Sequence, residues 1–251
     1  MTPARRITLI TGAGRGIGAA TARLCAAQGH DLALGYARDA GAAEALADEL
    51  RALGRRVLCV QADVADEAQV LAMFARIDAE LGRLSGLVNN AGIVAPAARL
   101  DEMGMARWQR LFGVNVIGSL LCAREAVKRM STRHGGAGGA IVNVSSRAAQ
   151  LGSPGVYVDY AASKGAVDSL TVGLARELIG EGIRVNGVRP GIIATEIHAD
   201  SGTVDGLAAA AASIPIGRLG RADEIAEAIV WLLSDAASYT VGATLDVAGG
   251  R

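Results

Sequence analysis

The chain has 251 residues, 51% of them hydrophobic and 20% charged, and its 25 basic residues are balanced by 25 acidic ones. That composition supports a sizeable buried core and leaves no net charge to draw the chain to nucleic acid. Cys25, Cys59 and Cys122 lie far apart inside apolar runs, and His30, His134 and His198 form no cluster, so neither a disulfide framework nor a metal site is expected. The apolar run Ile7 to Ile10 behind Arg5 and Arg6 is too short for a signal peptide, and no run approaches the ~18 residues of a membrane span. A cytoplasmic protein with no membrane partner is the expectation.

Short runs rich in β-branched residues recur along the chain: Ile7 to Thr11, Leu32 to Tyr36, Val57 to Gln61, Gly86 to Asn89, Ala140 to Ser145, Arg184 to Val188 and Thr244 to Val247. Most are continuous, not alternating, as strands buried on both faces are. Helix-length segments lie between them, among them Ala19 to Gln28, Ala42 to Leu53, Glu67 to Leu81, Trp108 to Met130 and Ala222 to Leu233. This alternation predicts an α/β fold, a doubly wound seven-stranded parallel sheet with helices on both faces, as a single domain over residues 1–251. The glycine-rich stretch His134 to Gly139 and the segment from Glu196 to about Ile216 read as the flexible pieces, the second as a lid.

In such a sheet, ligands sit beyond the carboxyl ends of the strands. The first run ends in Thr11-Gly12-Ala13-Gly14-Arg15-Gly16-Ile17-Gly18 and passes directly into a helix. Glycines let backbone N–H groups approach a pyrophosphate, and a helix N-terminus favours its charge. The third run ends in Asp63-Val64 and the fourth in Asn89-Asn90-Ala91-Gly92, although Asp63 also reads as a helix cap and the asparagines as a turn. The fifth ends in Ser145-Ser146, and the sixth runs on through Pro190-Gly191-Ile192-Ile193-Ala194-Thr195. One long ligand across this edge explains the set better than independent turns do.

Tyr160 and Lys164 stand four residues apart in a segment with helical apolar spacing, so they share a face. A phenol titrates near pH 10, and lowering that by about 3 units takes about 4 kcal/mol. One cation at ~4 Å supplies a term of that order at an effective dielectric of ~20, less the cost of burial. Tyr157, three residues earlier, has alanine at its own fourth position and reads as lining or covering a substrate pocket.

With these residues in place, the chain resembles a classical short-chain dehydrogenase/reductase along nearly its whole length. The likeness rests on Gly12, Gly16 and Gly18, on Asn89 to Gly92, on Asn115, on the Ser145-Ser146 pair, on Tyr160 with Lys164, and on Pro190-Gly191 through Thr195. It implies a Rossmann fold, a homotetramer, and hydride transfer between a nicotinamide cofactor and a carbonyl or secondary alcohol substrate. It further implies Tyr160 as general acid/base, Lys164 lowering its pKa and holding the nicotinamide ribose, Ser146 on the substrate oxygen, and Asn115 holding a water in the proton path. The cofactor-binding set it implies is Gly12, Gly14, Arg15, Gly16, Ile17, Gly18, Arg38, Asp63, Val64, Asn90, Ala91, Gly92, Tyr160, Lys164, Pro190, Gly191, Ile193 and Thr195.

Two departures qualify the match. Thirteen residues separate Ser146 from Tyr160 where the family has twelve, which reads as an insertion within Leu151 to Asp159 and leaves Ser145 as the alternative serine. The second strand ends in Tyr36-Ala37-Arg38 with no acid to bind ribose hydroxyls. Asp31 lies about the right distance from the glycines but at the wrong end of the strand, and Asp39 reads as the start of the next helix. With Arg15 and Arg38 available for a 2′-phosphate, NADP (NADPH) is the expected cofactor and NAD the alternative. A nicotinamide-binding regulator without turnover is the competing reading, and a sugar-nucleotide epimerase or dehydratase is disfavoured by the glycine spacing.

Overall fold

Each apolar run becomes a strand of one sheet in the computed structural model, which describes residues 6–194 and 211–251. The strands are β1 (Ile7–Thr11), β2 (Asp31–Tyr36), β3 (Val57–Gln61), β4 (Gly86–Asn89), β5 (Gly139–Val144), β6 (Ile183–Pro190) and β7 (Thr244–Val247). All neighbours pair in parallel, in the order β3-β2-β1-β4-β5-β6-β7. The winding reverses between β1 and β4, which opens a crevice beyond their carboxyl ends.

The helices described are α1 (Gly16–Ala27), α2 (Ala40–Ala52), α3 (Glu67–Glu80), α4 (Met105–Phe112), α5 (Gly118–Met130), α6 (Ala148–Leu151), α7 (Val158–Leu178) and α8 (Ala222–Leu233). Successive strand residues alternate between two cores. Ile10, Leu34, Val88 and Val142 meet apolar side chains of α1, α2 and α8 on one face. Leu9, Ala33, Leu87 and Ile141 meet those of α3, α5 and α7 on the other. Both faces are therefore dry, and the strand sequences have no polar alternation to show. Among the described residues no helix is long and apolar enough to cross a membrane.

Two segments differ from the sequence-based expectation. Residues 108–130 do not form one regular α-helix: α4 passes into a π-helical turn over Gly113–Ile117 before α5 begins. At Gly118 a Cβ would lie 2.6 Å from Val64 Cγ2, so the helix comes too close to the end of β3 for any side chain there. Gly136, Gly138 and Gly139 are required by close approach, and Gly135 by its φ of 73°. A Cβ at Gly136 would meet the Met130 carbonyl oxygen at 2.2 Å, and one at Gly138 the Gly182 carbonyl oxygen at 2.4 Å. Most of the segment read as a lid, with Glu196 and His198, lies outside the described residues.

Asp31 opens β2 at the edge remote from the crevice, fully buried, where its carboxylate accepts from Arg56 Nε at 2.8 Å and from the Arg56 backbone N–H at 3.0 Å. It is a strand-edge anchor, not a ribose ligand. Asp31→Ala is expected to destabilise the fold by about 1.5–3 kcal/mol, the worth of hydrogen bonds to a charged group. Urea unfolding measures that loss, and the dissociation constants for NAD and NADP should not move.

Candidate active site

The loop from β1 to α1 is shaped by what its glycines exclude. Gly12 and Gly16 have φ of 64° and 55°, in the left-handed region. A Cβ at Gly18 would lie 2.3 Å from the Gly12 carbonyl oxygen and 2.7 Å from Asn90 Nδ2, whereas at Gly14 nothing comes within 3.8 Å and the nearest atoms belong to residues 39–43 at the start of α2. Gly14 thus lies in ordinary contact distance of the start of α2, while Gly18 lets α1 dock. The first turn of α1 holds no acidic residue, so its free N–H groups face an anion without opposition. Exposed Arg15 stands at the N-cap, and Ile17 packs on the core below.

Asn90 serves this loop directly. Its Nδ2 donates to the Thr11 and Gly12 carbonyls at 2.9 and 3.0 Å, and the N–H groups of Asn90 and Ala91 donate to Thr11 Oγ1. Its side chain staples the end of β1 to the segment after β4. At the end of β2, Tyr36 is half-buried, and Arg38 is exposed with no hydrogen bond or ion pair among the described residues. Asp39 caps α2 by accepting the Ala42 N–H at 2.9 Å. Asp63 does not cap α3, since Asp66 does. One Asp63 oxygen accepts from the Ala65 N–H and the other from Arg110 Nη1 at 2.6 Å, while Val64 is buried.

Tyr160 and Lys164 lie on α7 above the ends of β4 and β5. Lys164 is buried, with Nζ 5.7 Å from the Tyr160 ring centroid, and it donates to the Val144 carbonyl at 2.7 Å. Burial lowers its pKa to about 8, opposed by the Asp168 carboxylate. The ammonium is therefore present below that pH and lost as pH rises through it. Burial raises the Tyr160 pKa, and a hydrogen bond with the Ser146 hydroxyl acts against that rise. The two side chains share a face, but the lysine's charge is directed at a carbonyl, and desolvation governs the phenol.

The two serines separate. Ser145 is buried and donates to the Lys164 carbonyl at 3.1 Å, which leaves Ser146 as the hydroxyl at Tyr160. Asn115, fully buried in the π turn, accepts the Ile93 N–H at 2.8 Å and donates to the Ile93 carbonyl and to Ser163 Oγ. Ser163 donates in turn to the Tyr160 carbonyl at 2.7 Å. The Asn115 amide is thus a strut between the loop after β4 and α7. Gly92 sits where these groups meet, because a Cβ there would lie 3.4 Å from Lys164 Nζ and 3.5 Å from Asn115 Oδ1. Tyr157 stands at the N-cap of α7, its hydroxyl buried without a protein partner among the described residues.

The sixth strand completes the edge. Pro190 accepts the Arg147 N–H through its carbonyl, Gly191 packs so closely that a Cβ would lie 2.8 Å from Ala248 Cα, and Ile193 is buried and bridged to Gly220. Thr195 lies outside the described residues. Sequence reasoning missed three groups beside the site, Arg107, Arg110 and Asp159. Only the acid before Tyr160 offered a signal, a charge at a position that turns out to be buried.

Comparisons with known proteins agree with this geometry. A family model described as Enoyl-(Acyl carrier protein) reductase matches residues 12–251. The chain is 51% identical over 245 residues to the uncharacterized oxidoreductase YgfF of Escherichia coli (strain K12), covering 98% of this chain and 99% of the relative. It is 44% identical over 252 residues to cis-4-hydroxycyclohexanecarboxylate dehydrogenase of Sinomonas cyclohexanicum, covering 98% and 96%. A 3-oxoacyl-[acyl-carrier-protein] reductase of Staphylococcus aureus is 37% identical over 242 residues, covering 96% of each chain. Among solved structures, a short-chain type dehydrogenase/reductase from Mycobacterium marinum superposes with a TM-score of 0.91 at 35% identity, covering 98% of this chain and 94% of the other. A blue fluorescent protein from a metagenomic library, in complex with NADPH, gives 0.90 at 35% identity, covering 98% and 97%. A family match over residues 12–251 and identity sustained along nearly the whole chain make this protein a member of the short-chain dehydrogenase/reductase family, an NAD(P)-dependent oxidoreductase.

Proposed function

We propose that the enzyme interconverts a carbonyl and a secondary alcohol, with Tyr160 as general acid/base and NADP(H) as the preferred cofactor. The observation that carries the proposal is the grouping of buried Lys164 at Gly92, the Tyr160 ring 5.7 Å from its Nζ, and the Ser146 hydroxyl hydrogen-bonded with Tyr160. In reduction the Tyr160 hydroxyl gives its proton to the substrate oxygen, and in oxidation it takes it back. Ser146 donates to the same oxygen, stabilising the negative charge that develops there. Lys164, its Nζ 5.7 Å from the Tyr160 ring centroid, supplies the positive charge that eases proton loss from the phenol. Asn115 holds the loop after β4 against α7 and so keeps that geometry.

The residues present fit a nicotinamide dinucleotide. Gly12, Gly14, Gly16 and Gly18 with the N-terminus of α1 suit its pyrophosphate, while Asp63, Val64, Asn90, Ala91, Gly92, Pro190, Gly191, Ile193 and Thr195 are the remaining proposed contacts. When bound, the cofactor supplies or accepts the hydride. Preference for NADP(H) is supported by the lack of a ribose-binding acid: Asp31 is at the opposite edge and Asp39 is used as a cap. Arg15, in the glycine loop, and Arg38, after β2, are both exposed.

The loop beyond Gly92 presents Ile93, Val94, Ala95 and Pro96, and the insertion presents Leu151, Val156 and Tyr157, which favours a substrate with an apolar body. The relatives' names concern an alcohol and an oxoacyl group, in keeping with this class. We take residues 1–251 as one domain, cytoplasmic, working as a homotetramer. Ile117, Leu120 and Val172, exposed on the segments expected at subunit contacts, support the assembly.

Tyr160→Phe is expected to retain NADPH binding and to lose about a hundred- to ten-thousandfold in turnover, measured as NADPH oxidation over a panel of ketones, aldehydes, 3-oxoacyl and enoyl thioesters. Tyr157→Phe should be much milder, and equal damage from both would overturn the assignment. Arg38→Ala should weaken NADP binding roughly ten- to hundredfold and leave NAD binding unchanged, with wild-type preference for NAD refuting the cofactor proposal. Light scattering at micromolar concentration should give a tetramer mass; a monomer would refute the assembly.

A further inference from the structure

The loop after β4, helix α4 and the first turn of α7 are joined by one ion pair. Asp159, immediately before Tyr160, is buried, with its side chain 2% exposed, and Arg107 of α4 is 16% exposed. Arg107 Nε donates to Asp159 Oδ2 at 2.7 Å and Nη2 to Oδ1 at 3.1 Å, a two-pronged contact that fixes both planes. The same Oδ1 accepts the Tyr160 backbone N–H at 2.9 Å. The third prong, Arg107 Nη1, donates to the Pro96 carbonyl in the loop that carries the apolar residues facing the site. A backbone bond from Ala98 N–H to the Val156 carbonyl at 3.1 Å ties that loop to the insertion as well. Burial pushes the Asp159 carboxyl up, but the Arg107 hydrogen bonds and the Tyr160 N–H together hold it below the usual carboxylate range.

From this geometry we infer that Arg107 and Asp159 are positioning residues for the reaction, coupling the substrate-facing loop at Pro96 to the placement of Tyr160. The inference rests on Tyr160 being the acid/base. Asp159 acts through the backbone of Tyr160 and so on the chemical step. Arg107 acts on both sides, on Tyr160 through Asp159 and on substrate affinity through Pro96. A lysine offers one point charge where the guanidinium offers a rigid fork, so it can hold Asp159 or Pro96 but not both.

The test is steady-state kinetics on Arg107→Ala, Arg107→Lys, Asp159→Asn and Tyr160→Phe, with NADPH and whichever ketone the panel shows to be turned over. NADPH dissociation constants and circular dichroism are measured on each variant. Arg107→Ala should lose about ten- to a hundredfold in kcat, the scale of a small misplacement of a reacting group, and also raise KM. Asp159→Asn keeps the Pro96 contact and should lower kcat with KM nearly unchanged. Arg107→Lys should recover part of kcat but not KM. Cofactor affinity should stay within twofold throughout. Folded variants with wild-type kcat and KM, or deficits that vanish when the sample is cooled until circular dichroism shows full folding, would overturn the inference. If that happens while Tyr160→Phe is inactive, the acid/base assignment stands; turnover by Tyr160→Phe overturns both.

Discussion

The approach of two backbones at the sheet's switch point governs the site. The start of α1 lies so near the end of β1 that position 18 has no room for a Cβ, and the β4 end lies so near both that Asn90 reaches two carbonyls of the loop. Carbonyls turned inward by the left-handed glycines would otherwise be buried without partners, which costs about 1–3 kcal/mol each. Asn90 meets that demand from 79 residues along the chain, and Thr11 Oγ1 in return accepts the Asn90 and Ala91 N–H groups. The outward-facing N–H groups of α1 are left for a ligand. Anion binding is thus a by-product of how the fold satisfies its own polar groups.

A second polar layer lies beneath Lys164. Asn89 Nδ2 donates to Asn143 Oδ1 at 2.9 Å and to the Ser119 carbonyl, and Asn143 Nδ2 donates to Thr171 Oγ1 at 2.9 Å. Thr171 in turn donates to the Val167 carbonyl, and Ser145 to the Lys164 carbonyl. Apolar packing alone tolerates small slips of a helix along a sheet, whereas a chain of satisfied hydrogen bonds admits one register. These bonds hold α7 at the height where Tyr160 and Lys164 reach the ends of β4 and β5. The buried ammonium is held by one carbonyl, and burial lowers its pKa to about 8.

The strand runs, the glycine loop and the Tyr160 to Lys164 spacing were legible because each is a local pattern. Continuous apolar runs follow from burial on both faces, glycines mark left-handed or crowded backbone, and a spacing of four marks one helix face. Tertiary structure decided the partner of each polar side chain. Asn90 takes the Thr11 and Gly12 carbonyls, Asn115 takes Ile93 and Ser163, Asp63 takes Arg110, and Asp31 takes Arg56. Lys164 donates to the Val144 carbonyl while its Nζ lies 5.7 Å from the Tyr160 ring. Arg107 carries no signal in its own neighbourhood, because its carboxylate lies 52 residues away on another helix. A side chain's chemistry is written in its own residue, but a hydrogen bond is completed by a partner that only the packing of helices on the sheet brings within 3 Å.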